Sequence, residues 1–348
     1  MKEYRKLLIK EIRQETADTK TFVLQAIDGA GISYRAGQFL TFVFDKGEQE
    51  KRRSYSFSSA PGIDPLPAIT VKRVANGEFS RQFTDRFKVG DVLLSSGGSG
   101  FFVLPDSLAT IKQIFLFAAG SGITPIYSLI KTILHHHHSI KLVLVYSNKN
   151  EKGTIFLNEL RDLEKRYPDQ LRIVWLFSDS KNLLQARLSR LVLEDILHRH
   201  QLYDKNEVLY YMCGPYYYML MIQIVLKGQG IEQAHIKKEN FNTDQPVITE
   251  PAAPDTGTHQ LKIFFKGKEY QSTIAYPDSI LTVAKNLGLA VPYSCEAGRC
   301  GACAATCLSG KVWMAYNEVL MDDEIAKGKV LTCKGHPLNS DIVISWDK

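Results

Sequence analysis

The chain has 348 residues, 45% of them apolar and 23% charged, the proportions of a soluble globular protein long enough for two or three domains. A formal charge of +6, with Lys and Arg scattered rather than gathered in a stripe, speaks against a nucleic-acid partner. No apolar run reaches the roughly eighteen residues a membrane span requires, and the start, MKEYRKLLIKEIRQE, lacks the apolar core of a secretory signal, so a cytoplasmic protein with no membrane association is expected.

Residues 1–106 carry short apolar segments separated by turns: KLLIKEI, KTFVLQA, FLTFVFD, AITVKRV and DVLLSSG. The pattern predicts an antiparallel β-barrel. Two polar clusters stand out. Arg52-Arg53-Ser54-Tyr55-Ser56 follows an apolar strand, and VKRVANGEFS runs from Val71 and Lys72 through Gly77 and Phe79 to Ser80. Either cluster alone is weak, because Arg and Ser beside Tyr are common in strands.

Residues 107–241 alternate strand and helix signals. IFLFAAG, LVLVYSN, LRIVWLF and VLYYMCG read as buried strands of a parallel sheet with crossover helices. After the first comes Gly120-Ser121-Gly122-Ile123-Thr124-Pro125, a glycine turn opening into a helix. Such a turn lets backbone approach a pyrophosphate while the helix N-terminus opposes its charge. Cys213-Gly214-Pro215 ends the last of these strands. The histidine run His135–His138 has no partner motif and reads as an exposed connection.

Residues 242–258, NTDQPVITEPAAPDTGT, are rich in Pro, Thr and Asp without helical or sustained strand period. They read as a linker, although a strap packed on one domain would have the same composition.

Five of the six cysteines fall in the final segment, residues 259–348. Cys295, Cys300 and Cys303 form C-x4-C-x2-C, with Cys333 as a distant fourth ligand. This is the plant-type [2Fe–2S] spacing. Small residues at Ala302, Ala304 and Ala305 let amides approach the sulfurs. A zinc site would pair two short Cys-x-x-Cys knuckles instead. Cys307 reads as a packed bystander thiol. Around the loop, LKIFFKGKEYQSTI predicts a hairpin at Lys266-Gly267. Asp278 or Ser279 is placed to cap a helix through ILTVAKNLG, and DIVISW alternates as a closing strand.

Taken together, these motifs resemble the ferredoxin–NADP reductase superfamily followed by a β-grasp [2Fe–2S] ferredoxin domain. The domain order resembles reductase components of multicomponent oxygenases. The tail VWMAYNEVLMDDEIAKGKVLTC is most similar to the reductase-subunit family of phenylacetyl-CoA epoxygenases. The resemblance implies that Arg53 pairs with the flavin pyrophosphate, Tyr55 lies against the isoalloxazine ring and Ser56 reaches N5. Gly77 and Ser80 match Gly-x-x-Ser, which favours FAD over FMN, with Val71, Lys72 and Phe79 in the same cofactor segment. Asn76 stands where many relatives have a further glycine. The resemblance also assigns Gly120, Ser121, Gly122, Ile123, Thr124 and Pro125 to the pyridine nucleotide. Cys213, with Gly214 and Pro215, comes beside the nicotinamide, and Glu239 and Phe241 approach the flavin.

Relatives that prefer the phosphorylated cofactor carry Ser-Arg after the third strand of the nicotinamide domain, where this chain has Ser178-Asp179. Arg187 and Lys181 remain available to a 2′-phosphate, so NADPH is taken first and NADH stays open. The implied activity is transfer of electrons from NAD(P)H through FAD and the cluster to an oxygenase. The alternatives are another acceptor, such as a hybrid-cluster protein, or a cluster-bearing sensor without turnover. The intact RSYS, GSGITP and CGP motifs argue against a sensor.

The expected cofactor content is one FAD and one [2Fe–2S] cluster per chain. Iron, acid-labile sulfide and flavin analysis checks it, and zinc without iron would refute the cluster. Cys307→Ala should keep the cluster spectrum, whereas Cys300→Ala should lose it.

Overall fold

The computed structural model describes residues 4–46, 49–241 and 251–347. Of the expected linker, 242–250 lie outside the described residues, and 251–258 contain no helix or strand. The chain divides into two compact units. One is built from Arg5–Val43 and Ser54–Phe241, the other from Met1–Tyr4, Phe44–Arg53 and Asn242–Lys348.

The first six strands are β1 (Arg5–Thr16), β2 (Thr19–Ala26), β3 (Phe39–Lys46), β4 (Gln49–Ser56), β5 (Ala68–Lys72) and β6 (Val92–Ser99). They form one sheet in the order β4-β3-β6-β1-β2-β5. The pairings β1–β2, β1–β6, β2–β5 and β3–β6 are antiparallel. The sheet curls on itself: Phe57, just past β4, bridges to Ile69 of β5, and the Ser58 amide donates to the Ala68 carbonyl at 2.8 Å. Alternation puts Leu7 and Ile9 inside. There, edge-to-face contacts join Phe83 to Phe22 and to Phe42, at ring-centre distances of 5.2 and 5.1 Å. A short helix, α1 (Glu78–Arg81), continues directly into a single π-helical turn at Gln82–Arg86.

The α/β half runs β7 (Gln113–Ala119), α2 (Ile123–His136), β8 (Lys141–Asn148), α3 (Leu157–Arg166) and β9 (Leu171–Phe177). It continues with α4 (Leu183–Ala186), α5 (Arg190–His200), β10 (Val208–Cys213), α6 (Tyr216–Gly228) and β11 (Ile236–Glu239). The sheet order is β11-β10-β7-β8-β9, all parallel. Ile126, Leu129, Ile130 and Ile133 of α2, with Leu160 of α3, cover one face. Val192 and Ile196 of α5, with Ile222 and Val225 of α6, cover the other. Burial on both faces explains why these strands read as continuous apolar runs. Strand order reverses between β7 and β10, and the crevice at their carboxyl ends is where such sheets bind ligands. GSGITP and CGP follow these two strands.

The C-terminal segment contains β12 (His259–Phe265), β13 (Lys268–Ile274), α7 (Ile280–Asn286), β14 (Ala304–Ser309), β15 (Val312–Met314), α8 (Asp322–Ala326), β16 (Lys329–Leu331), β17 (Gly335–Pro337) and β18 (Ile342–Ser345). Five strands order as β13-β12-β18-β14-β16, with β15 and β17 paired apart. The expected hairpin is present, and Lys266 and Gly267 both have positive φ (54° and 70°), as a tight two-residue turn needs. The closing strand β18 is internal, parallel to β12 and antiparallel to β14. His135 and His136 end α2 and are exposed. Among the described residues, no helix is long and apolar enough to cross a membrane.

Of the two residues placed to cap α7, Ser279 does so, its hydroxyl accepting the Thr282 amide at 3.2 Å. Ser279→Ala should therefore cost about 1 kcal/mol of stability in the C-terminal segment, with Asp278→Ala near neutral, in urea unfolding followed by circular dichroism.

Candidate functional site

The segment carrying Arg53, Tyr55 and Ser56 lies within β4, a strand that the polar composition of QEKRRSYS does not advertise. Alternation along it separates roles. Arg53 is exposed, and its guanidinium donates to the Arg52 carbonyl at 2.9 Å. Tyr55 is half-buried and set edge-on to Phe83, centroids 4.8 Å apart. Ser56 is buried, and its hydroxyl donates to Oε1 of Glu239 at 3.3 Å.

Glu239 sits at the end of β11, where the parallel register pairs it with Cys213 of β10. Three of the expected residues thus converge from distant parts of the chain. The other carboxylate oxygen of Glu239, Oε2, is buried without a hydrogen-bond partner. Burial pushes the Glu239 carboxyl from its ordinary 4.5 up to about 8, against the opposing hydrogen bond from Ser56. Burial, with the Glu239 charge adding to it, also holds the Cys213 thiol well above its ordinary value. An orphaned buried polar atom next to a buried hydroxyl is the lining expected where a polar ring edge docks.

Along the same barrel, Ser80 closes the 74–80 turn. Its Oγ accepts the Val74 amide at 3.1 Å and donates to the Gly77 carbonyl at 3.3 Å. Val71 and Phe79 are buried, while Lys72 stands partly exposed, 3.6 Å from Asp18.

In the α/β half, Gly120–Gly122 form one tight helical turn before α2. Thr124 donates to the Ser121 carbonyl at 2.9 Å and Tyr146 to the Gly120 carbonyl at 3.1 Å. A Cβ on Gly122 would lie 2.0 Å from the Cys213 carbonyl oxygen, so GSGITP and CGP lie backbone against backbone. Ile123, Thr124 and Pro125 are buried in the first turn of α2. Gly214 and Pro215 lead into α6, with Pro215 exposed. Ser178 follows β9 and is partly buried, while Asp179, Lys181 and Arg187 are exposed. Phe241 is 43% exposed.

In the cysteine loop the thiols form two pairs. The Cys300 thiol donates to Cys295 and lowers it to about 6, and the Cys333 thiol similarly lowers Cys303. Amides of Ala297 and Ala302 point at the Cys295 and Cys300 sulfurs, at 3.4 and 3.5 Å. Gly298 has φ +70°, and a Cβ there would meet the Tyr316 carbonyl at 2.6 Å, so the loop needs glycine at this point. Thr332 donates to the Cys303 carbonyl at 2.8 Å, tying the loop to the segment that carries Cys333. Two thiol pairs with amides aimed at sulfur fit a two-iron centre. Cys307 is elsewhere, on β14, its thiol directed at the Ser309 carbonyl.

Three family models match in succession: an oxidoreductase FAD-binding domain over residues 6–103, an oxidoreductase NAD-binding domain over 116–225 and a 2Fe-2S iron-sulfur cluster binding domain over 263–338. The ferredoxin reductase component of 3-ketosteroid-9-alpha-monooxygenase from Rhodococcus rhodochrous is 33% identical, covering 98% of this chain and 96% of its own. This chain belongs to the ferredoxin–NADP reductase superfamily, in the branch with a C-terminal 2Fe–2S domain. A subunit of 1,2-phenylacetyl-CoA epoxidase from Escherichia coli (strain K12) is 30% identical across 100% of this reductase chain and 99% of that relative. The reductase shares its fold with phthalate dioxygenase reductase, at TM-score 0.60 and 24% identity over 98% of both chains.

Sequence reading passed over the ties between the loop after Ser56 and helix α2 of the reductase. Ser128 donates to the Ser59 carbonyl at 2.6 Å, and Lys131 pairs with Asp64. The available signal was a serine and a lysine within the apolar helix IYSLIKTIL.

Glu239 gives a pH signature. Its folded value is raised, so between about pH 4.5 and 8 the unfolded chain releases this proton before the native state does, and the contribution of Glu239 to stability falls as pH rises. Glu239→Gln removes the fall. The melting temperature of the variant should gain on the parent between about pH 5 and pH 8, and equal shifts at both pH values would refute the burial.

Proposed function

We propose that this protein is an NAD(P)H-dependent electron-transfer reductase that delivers electrons through FAD and a [2Fe–2S] cluster to an oxygenase component. The observation that carries the reading is the convergence of Ser56, Glu239 and Cys213 in the same chain as two thiol pairs. When bound, FAD supplies conversion of a two-electron hydride into single electrons, and the cluster carries them singly.

The residues divide the work. Arg53, exposed on β4, would neutralise pyrophosphate charge, with the Gly77–Ser80 turn presenting amides. Tyr55 would flank the ring, and the Ser56 hydroxyl would serve the flavin N5 edge. Glu239 holds its proton below about pH 8, which makes it a neutral hydrogen-bond donor at that edge. Cys213 is held as a neutral thiol beside the nicotinamide position. Gly120, Ser121 and Gly122 would receive the dinucleotide pyrophosphate at the start of α2, while Ser178 and Arg187 would meet its adenosine end. Cys295, Cys300, Cys303 and Cys333 would ligate the irons.

The assignment places the flavin domain at 1–106, the nicotinamide domain at 107–241, a linker at 242–258 and the ferredoxin domain at 259–348. A cytoplasmic location goes with it. The relatives' names point to oxygenases of different substrates, among them 3-ketosteroids, phenylacetyl-CoA and glycine betaine. An oxygenase is therefore the acceptor class, and a phenylacetyl-CoA epoxidase in phenylacetate catabolism is the specific partner to try first, with NADPH and NADH both assayed.

Stopped-flow absorbance follows flavin and cluster separately. Ser56→Ala should slow flavin reduction about 10²-fold while its cluster stays chemically reducible. Cys300→Ala should reduce its flavin normally yet fail to support the oxygenase. Normal oxygenase turnover by Cys300→Ala would overturn the assigned role of the cluster.

A further inference from the structure

The doublet Arg52-Arg53 splits into two environments. Arg53 is exposed, whereas the Arg52 side chain is only 1% exposed and sits inside the unit that also contains the cysteine loop. Its guanidinium carbon lies 3.6 Å from the ring centre of Tyr293, two residues before Cys295. The remaining guanidinium edges are engaged in several directions. Nε donates to Glu50 at 2.7 Å, Nη1 to the Tyr293 and Val291 carbonyls at 3.3 and 3.4 Å, and Nη2 to the Tyr4 hydroxyl at 3.2 Å. Glu50 in turn accepts from the Tyr293 hydroxyl at 3.1 Å and from Tyr4. The Lys285 ammonium stands 4.6 Å from the centre of the Tyr293 ring and pairs with Glu296 of the loop itself.

A buried guanidinium with all three nitrogens engaged is rare without a purpose for its geometry, since lysine could supply the charge but neither the planar stack nor the fork of donors. The strand that holds Arg52 continues through Arg53 and Tyr55 to Ser56. The segment that receives it, Val291–Tyr293, runs directly into the first cluster ligand.

We propose that Arg52, through Tyr293 and Glu50, is a positioning residue for electron transfer: it fixes the approach to Cys295 on the strand that carries the flavin-binding residues. The proposal rests on the reductase reading above.

The test uses the full-length holoprotein. In Arg52→Ala, reduction of flavin by NAD(P)H should stay within about twofold of the parent, while the following cluster reduction slows on the order of 10- to 100-fold. Arg52→Lys should fail to restore it. Independently of turnover, hydrogen exchange at the amides of Val291, Tyr293 and Ser294 should accelerate about tenfold, with β12 and β13 unchanged. Iron content and the spectrum of the dithionite-reduced cluster should match the parent. If Arg52→Ala does not fold, Tyr293→Leu removes the stack and the Glu50 bond while keeping an apolar body, and it should give the same split between the two rates. Cluster reduction at the parental rate, or unaltered exchange at 291–294, in whichever variant folds overturns the proposal alone. A parent protein whose cluster never follows its flavin overturns the reductase reading instead.

Discussion

The close approach of two turns organises the α/β half of this molecule. Gly122 and the Cys213 carbonyl leave no room for even a methyl group between them. Because β7 and β10 are adjacent and parallel, their carboxyl ends deliver GSGITP and CGP to one place. The contact fixes the start of α2 and the Cys213 position at once. It also places Glu239, since β11 pairs with β10 in a register that sets Glu239 level with Cys213. A sheet edge, a helix N-terminus and a buried acid are therefore located by one backbone packing event.

Burial then sets the chemistry of that place. A carboxyl held in an apolar surrounding keeps its proton to about pH 8, and a thiol there stays neutral. A neutral acid and a neutral thiol add no fixed negative charge to that place. The cysteine loop follows the opposite principle. There, hydrogen bonds from the Cys300 and Cys333 thiols, aided by backbone amides, favour the thiolate form of Cys295 and Cys303, while the donor thiols are themselves raised. The same chain thus holds Cys213 neutral by burial and lowers Cys295 and Cys303, chiefly through hydrogen bonds from neighbouring thiols and secondarily through backbone amides.

Arg52 and Arg53 show how one strand gives adjacent arginines two environments. Pleating points adjacent side chains to opposite faces, so the Arg53 guanidinium is exposed while that of Arg52 is buried. The difference in burial is not visible in the doublet itself.

Much of the architecture was legible in the sequence because its determinants are local. The C-x4-C-x2-C spacing, the Lys266-Gly267 turn, the Ser279 cap and the apolar runs of β7, β8, β9 and β10 each act over a few residues. Strand β4 was not legible, since QEKRRSYS has a polar composition and is a strand only because β3 is its neighbour in the sheet. The Ser56–Glu239 hydrogen bond and the Arg52–Tyr293 stack join residues far apart in the chain. No propensity or spacing encodes such pairs. They exist only once barrel, parallel sheet and cysteine loop have each folded, because burial of a polar group selects its partner by position in space and not by distance along the chain.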